Sequence, residues 1–208
     1  MNKRHMHTQI DFFARQKHFY DIIKELFRKS IHLCSACIPL LLYWNARAVQ
    51  CALCFLLVGY IVTESLRRRG INVPVISVIT SVAARKRDEN KFVLGPVTLV
   101  IGILAASFLW PLFHAAVGIY ALAFGDGLAS LAGRLFGRIE IPFTRGKTAE
   151  GSLTCFCAIF IASFLHTHNA GVSLVIAFAG MIIELLPLKD FDNILIPISL
   201  GGLSYILL

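Results

Sequence analysis

Of the 208 residues, 57% are hydrophobic and only 15% charged, yet the formal net charge is +8 at pH 7. With a mean hydropathy of +0.72, the chain cannot place all of its residues in water, and several apolar runs reach the length that a bilayer demands. This excludes an ordinary soluble domain and predicts an all-α polytopic membrane protein.

Residues 1–30 are basic and amphipathic. They lack the charged start, immediate apolar core and small-residue cleavage site of a signal peptide, so they are predicted to be a cytoplasmic N-terminal segment. Residues 31–208 are predicted to form a single transmembrane domain. Apolar runs predict spanning helices at about 31–44, 49–66, 94–113, 115–125, 152–168, 171–187 and 194–208. Residues 71–84 are apolar but too short to cross comfortably, and are expected to be re-entrant or interfacial. With about seven transmembrane helices, every Lys and Arg except Arg47 falls on one side, and so do all twelve acidic residues. The positive-inside rule makes that side the cytoplasm, with the N-terminus inside and the C-terminus outside.

A basic balance invites a nucleic-acid reading. Here the bases sit in short loops between spans, with no aromatic RNA-binding pattern and no recognition helix, so polymeric nucleic acid is set aside. Topology and anionic headgroups explain much of the positive charge but leave the acids unexplained. Glu64, Asp126, Glu150, Glu184, Asp190 and Asp192 lie near helix ends at the same face. Acids and bases converging there suit a divalent cation with a polyphosphate, because carboxylates hold Mg²⁺ while Arg and Lys neutralise phosphate oxygens. The competing reading is a set of snorkelling, mutually paired interfacial charges. Asp126 stands between Gly125 and Gly127, which would let the backbone approach a ligand closely.

The segment from Arg145 through Gly146, Lys147, Thr148 and Glu150 to Ser152 is not a Walker A loop, since Ile141 stands where the first glycine is required. What remains is a turn at Gly146, two cationic heads and the amides of a helix start, all suited to an anion. A plain capped helix start is the alternative. Cys34, Cys37, Cys51 and Cys54 have a zinc-like spacing but lie within apolar runs, and with Cys155 and Cys157 they read as buried or lipid-facing free thiols. His166 and His168 fall at the opposite membrane face, remote from the acids.

The ordered set comprises Arg28 to His32, Glu64 to Arg67, Arg85 to Glu89, Gly125-Asp126-Gly127 with Gly133 and Gly137, Arg145 to Ser152, and Glu184 followed by Asp192-Asn193. It resembles the CTP-dependent lipid-alcohol kinases, a family that includes dolichol kinase, phytol kinase and CTP-dependent diacylglycerol kinases. The resemblance covers nearly the whole membrane body, and its most specific part runs from Gly125 to Ser152. It implies transfer of the γ-phosphoryl group of CTP to the hydroxyl of a membrane lipid alcohol, with Mg²⁺ as cofactor.

By this similarity Arg28, Lys29, Asp126 and Gly133 match the positions on which the family most depends, and Lys147, Thr148, Glu150, Asp192 and Asn193 fall in its other shared blocks. Gly125, Gly127 and Gly146 accompany them as nucleotide-binding positions. The resemblance implies that Asp126 ligates Mg²⁺, with Asp192, Glu150 or Glu64 as further ligands or orienters. Arg28, Lys29, Arg145 and Lys147 would hold the triphosphate. The base is open, and His32, one turn after Arg28, could face the same site. The expected setting is a bacterial cytoplasmic membrane. Two other classes compete: a phosphatidate cytidylyltransferase, whose C-terminal signature is absent here, and a small-molecule transporter, for which no inverted repeat is visible.

Overall fold

The computed structural model describes residues 22–71, 92–144 and 146–208, and it is helical almost throughout. The first helix, α1, covers residues 22–34 and passes through a 3₁₀ turn at Ser35–Cys37 into α2, Ile38–Arg68. Helix α2 breaks at Asn45, whose φ of −153° and ψ of 89° are far from helical. The Ala48 amide donates to Asn45 Oδ1 at 3.1 Å, so the short amide side chain caps the arm that restarts. The predicted boundary between the first two spans is met at this residue. The predicted segment boundary at residue 30, in contrast, falls inside α1.

The chain continues as α3 (Gly95–Leu109), α4 (Leu112–Tyr120), a π-helical turn (Ala121–Asp126), α5 (Gly127–Phe136), α6 (Ala149–Thr167), α7 (Ala170–Leu185) and α8 (Asp192–Leu207). The span expected to stop at residue 125 does not stop there. Helix α4, the π turn and α5 form one apolar run, Leu112–Phe136, that carries Asp126 inside it. The re-entrant segment expected at 71–84 lies, beyond Ile71, outside the described residues.

Among the described residues, three helical runs are long and apolar enough to cross a membrane: Ile22–Arg68, Leu112–Phe136 and Ala149–Thr167. At about 1.5 Å per residue, each arm of the first, on either side of Asn45, is itself long enough for a hydrocarbon layer of about 30 Å. Helices α3, α7 and α8 are apolar but shorter, at 15, 16 and 16 residues. Large apolar side chains such as Trp44, Phe55, Leu153 and Leu165 point outward. So much exposed hydrocarbon is tolerable only against lipid.

The apolar core, with Ile103, Ile119, Leu122, Ile159, Ile176 and Leu200 at its centre, is interspersed with small residues that let helices approach closely. Ala106, Ala115, Ala116, Ala121 and Ala123 are fully enclosed or nearly so. Helix α8 shows why the contacts are so tight. Pro197 has no N–H for the Asn193 carbonyl one turn back. That oxygen instead approaches α3 at Gly102, where a methyl group would lie 2.0 Å from it. Gly118 of α4 admits the Pro197 carbonyl in the same way, since a methyl group there would lie 2.1 Å from that oxygen.

These contacts give a paired prediction. Gly59, on the outer arm of α2, has nothing within 4 Å of its missing side chain. Gly59→Ala should leave detergent stability unchanged or raise it by up to about 1 kcal/mol through helix propensity. Gly102→Ala should lower it by about 1–3 kcal/mol through overpacking, as read by thermal unfolding.

Candidate active site

Helical spacing puts Glu25, Lys29 and His32 of α1 on one face, with Arg28 beside them. That face meets the π turn and α5. Lys29 Nζ lies 2.6 Å from Asp126 Oδ2, with Lys29 only 1% exposed and Asp126 7%. His32 Nδ1 is 3.1 Å from the same oxygen, but is not aimed well enough to hydrogen-bond to it. The π turn makes this meeting possible. One extra residue in the turn rotates the register, so that Asp126 faces α1 while Gly125 faces α6.

One turn towards the start of α1, Glu25 gathers donors from two helices. Its Oε1 accepts from Arg28 Nη2 at 2.5 Å and from the Ser130 hydroxyl, and its Oε2 lies 3.4 Å from Arg134 Nη2. Glu25 is 5% exposed, so this carboxylate is held by its partners and not by water.

Asp126 and Glu25 form one side of a cavity of about 300 Å³. The facing side comes from the segment before α6, the end of α7 and the start of α8. Lys147, Thr148, Glu184, Lys189 and Asp192 all line it. Backbone pairing shapes the segment before α6: the Ile141 amide donates to the Lys147 carbonyl at 2.8 Å, and the Ala149 amide to the Ile139 carbonyl at 2.9 Å. The reversal needs Gly146 at φ +86°, a conformation that glycine adopts freely, and Gly146 lines the cavity as its predicted turn requires. Thr148 caps α6 by accepting from the Gly151 amide at 3.2 Å. Lys147 Nζ reaches Glu184 Oε1 at 2.9 Å.

The predicted residues therefore divide. Lys29, Asp126, Gly133, Gly146, Lys147, Thr148 and Asp192 share the cavity. Arg28 stands behind Glu25, and His32 lies beneath Asp126, both off the cavity wall. Arg145 is outside the described residues. Glu64, expected as a metal ligand, is fully buried elsewhere, paired with Arg67 at 2.7 Å and accepting from the Val93 amide. Glu150 faces away and accepts from the Arg138 and Ile139 amides, which closes the loop before α6. Asn193 donates to Thr98 Oγ1 at 3.0 Å and thereby joins α8 to α3.

The glycines expected to admit a ligand admit helices. A methyl group on Gly125 would lie 2.7 Å from Ile159, and one on Gly127 would lie 3.2 Å from Leu33. Gly133 does line the cavity, but its missing side chain also makes room for Thr148 Oγ1, at 3.0 Å. Sequence reasoning gave no role to Glu25, which lines the cavity, and named Glu184 only among the converging acids and in the shared motif set. The Glu25-x-x-Arg28-Lys29 spacing was the available signal for the first, since it stacks an acid against two bases on one helix face.

Among the described residues, no three His, Cys, Asp or Glu side chains converge as a preformed metal site. The donor set nevertheless fits Mg²⁺, which takes one or two carboxylates and completes its shell with water and substrate phosphate. Asp126 Oδ2 is engaged by Lys29, and Asp192 Oδ1 accepts from the Asn193 amide at 2.9 Å. One oxygen of each remains for a cation, and the two carboxylates are close enough to repel one another. Lys29, Arg134, Lys147 and Lys189 surround them, which suits an anion with several charges.

The chain is similar to an Arabidopsis thaliana phytol kinase, 27% identical over 150 residues that cover 62% of the chain and 49% of the relative. It is 29% identical over 126 residues to a farnesol kinase of the same plant, covering 53% of the chain and 41% of that protein. It is 35% identical over 113 residues to a phytol kinase of Synechocystis sp., covering 49% and 48%. The relatives it resembles are thus named as phytol and farnesol kinases. It spans about half the length of the curated relatives it matches. No protein-family model matches it, and no solved structure does. Both Arabidopsis relatives are named as chloroplastic, so the expected bacterial cytoplasmic membrane draws no support from them, although a cyanobacterial relative exists.

The Lys29–Asp126 pair has a structural consequence that can be tested by stability alone. Asp126→Asn should leave a buried ammonium without its anion and destabilise the protein by about 3–5 kcal/mol. Adding Lys29→Met should recover most of that loss. Thermal unfolding of the two single variants and the double variant checks the coupling.

Proposed function

We propose that this protein transfers the γ-phosphoryl group of CTP to the hydroxyl of an isoprenoid alcohol such as phytol or farnesol. The observation that carries the reading is the cavity in which Asp126 and Asp192 face Lys29, Arg134, Lys147 and Lys189 at the polar end of an apolar helical bundle. Phosphoryl transfer consists mainly of positioning and charge neutralisation, so acids for a cation and bases for phosphate meet most of its demands. The names of the relatives favour isoprenoid acceptors over diacylglycerol. CTP, as opposed to another nucleotide, rests on the family resemblance.

In this reading Asp126 and Asp192 hold Mg²⁺, which when bound neutralises charge on the triphosphate. Lys29 fixes the Asp126 carboxylate in place. Lys147, Arg134 and Lys189 take phosphate oxygens, and Glu25 orients Arg134 towards them. Arg28, held by the other oxygen of Glu25, adds positive potential from behind. The amides at the start of α6 add a further partial positive charge. The alcohol stays in the lipid layer and presents its hydroxyl at headgroup level.

The same reading places about seven spans in the membrane, with the cavity on the cytoplasmic side. Cysteines engineered at positions 69 and 189 should then be labelled by an impermeant thiol reagent only from the cytoplasmic side, in a background freed of the native cysteines. Labelling of either from the outside contradicts this orientation.

The direct test offers the purified full chain γ-labelled CTP or ATP with phytol, farnesol, dolichol or diacylglycerol. Label should enter phytol or farnesol, and preferentially from CTP. Label in diacylglycerol alone, or in none of the alcohols, contradicts the proposal. Lys147→Ala should weaken nucleotide use by about 1.5–3 kcal/mol, the worth of a charge-assisted contact, with little change in alcohol binding. A CTP titration at saturating alcohol reads that effect.

A further inference from the structure

We infer that Glu184 is the residue that receives the hydroxyl of the acceptor alcohol and takes its proton, an inference that rests on the kinase reading. Among the four carboxylates that line the cavity, Glu25 is occupied by Arg28, Ser130 and Arg134, while Asp126 and Asp192 each keep one oxygen for a cation. Glu184 is different. Its side chain is 9% exposed, Oε1 is 2.9 Å from Lys147 Nζ, and Oε2 is buried with no hydrogen-bond partner. A buried carboxylate oxygen without a donor is costly, and a ligand hydroxyl would supply the missing hydrogen bond.

The position of Glu184 on its helix adds to this. It stands in the last turn of α7, where the exposed carbonyl ends disfavour an anion, so neither local helix stability nor capping accounts for an acid there. Two and three residues on, Leu186 and Pro187 continue the cavity wall as apolar surface, and Leu186 is 42% exposed. An alcohol whose hydroxyl meets Glu184 would run its hydrocarbon out along this edge towards lipid. Lys147 couples the two substrates. A triphosphate that draws the ammonium away from Oε1 frees the carboxylate towards the cavity, so the hydroxyl engages Glu184 with nucleotide in place.

The chemical step then balances. The alcohol oxygen forms a bond to the γ-phosphorus, and the bond from that phosphorus to the β–γ bridging oxygen breaks. The bridging oxygen leaves with the electron pair as part of the nucleoside diphosphate. The hydroxyl proton passes to Glu184.

The test compares wild type with Glu184→Gln, which keeps the shape and removes the proton acceptor. Three quantities are measured: kcat with phytol, KM for CTP, and retention of a labelled non-hydrolysable CTP analogue. Glu184→Gln should lose about 100-fold or more in kcat, the usual worth of a positioned acid or base, while KM and analogue binding stay within about threefold. Glu184→Asp, which keeps the charge but draws it back by one methylene, is read by the same measurements and should be impaired with its nucleotide binding intact. Transfer within threefold of wild type in both variants overturns the inference. So does loss of analogue binding together with transfer, which would mean that Glu184 serves only to place Lys147. Wild-type protein that phosphorylates no alcohol overturns the kinase reading itself, and is distinguished from these outcomes by the wild-type lane alone.

Discussion

The polar end of this bundle depends on one buried ion pair, Lys29 with Asp126. Bringing two charges out of water is expensive, and a well-packed apolar pair of similar volume would often be as stable or more so. A buried ion pair beside the cavity therefore points to a role beyond stability. Its geometry bears this out. Lys29 takes only one oxygen of Asp126, which leaves the other for the cavity, and the pair ties the first helix to the π turn in the middle of the Leu112–Phe136 run.

Around that pair the chain assembles ends of helices, and each end brings its own electrostatics. Helices α6 and α8 present their N-termini to the cavity, and Asp192 occupies the first turn of α8, where an anion is favoured. Helix α7 presents its C-terminus, where Glu184 is disfavoured and Lys147 offsets it. Glu25 gathers Arg28 and Arg134 on the remaining side. Acids and bases are thus interleaved across the cavity, an arrangement that suits a cation and a polyanion bound together better than either alone.

Much of this was legible in the sequence, and the reasons differ from part to part. Apolar runs located the helices because a bilayer imposes a length, and even the break at Asn45 fell between two predicted spans. The convergence of charge was legible because the predicted spans left nearly all of it in the loops expected on one side. The glycines were not legible. Gly125 and Gly127 read equally well as openings for a ligand or for a neighbouring helix, and only the fold brings Ile159 and Leu33 against them. Glu64 and Glu150 lie away from the cavity, each held by other partners, Arg67 one turn on and the amides of Arg138 and Ile139, which the sequence pattern did not reveal. Glu25 was passed over because it gains its meaning from Ser130 and Arg134 on another helix.

The central claim, that Asp126 and Asp192 are the metal-binding pair of a nucleotide site, is tested most directly by a structure of the full chain with a non-hydrolysable CTP analogue and Mn²⁺. The anomalous signal of Mn²⁺ locates the ion independently of the surrounding density. The account predicts the ion bound to both Asp126 and Asp192, at about the 2.0–2.1 Å typical of Mg²⁺ or slightly longer, with the phosphates turned towards Lys147. An ion bound instead at Glu64 or Glu150, or phosphates lying outside the cavity, would contradict it.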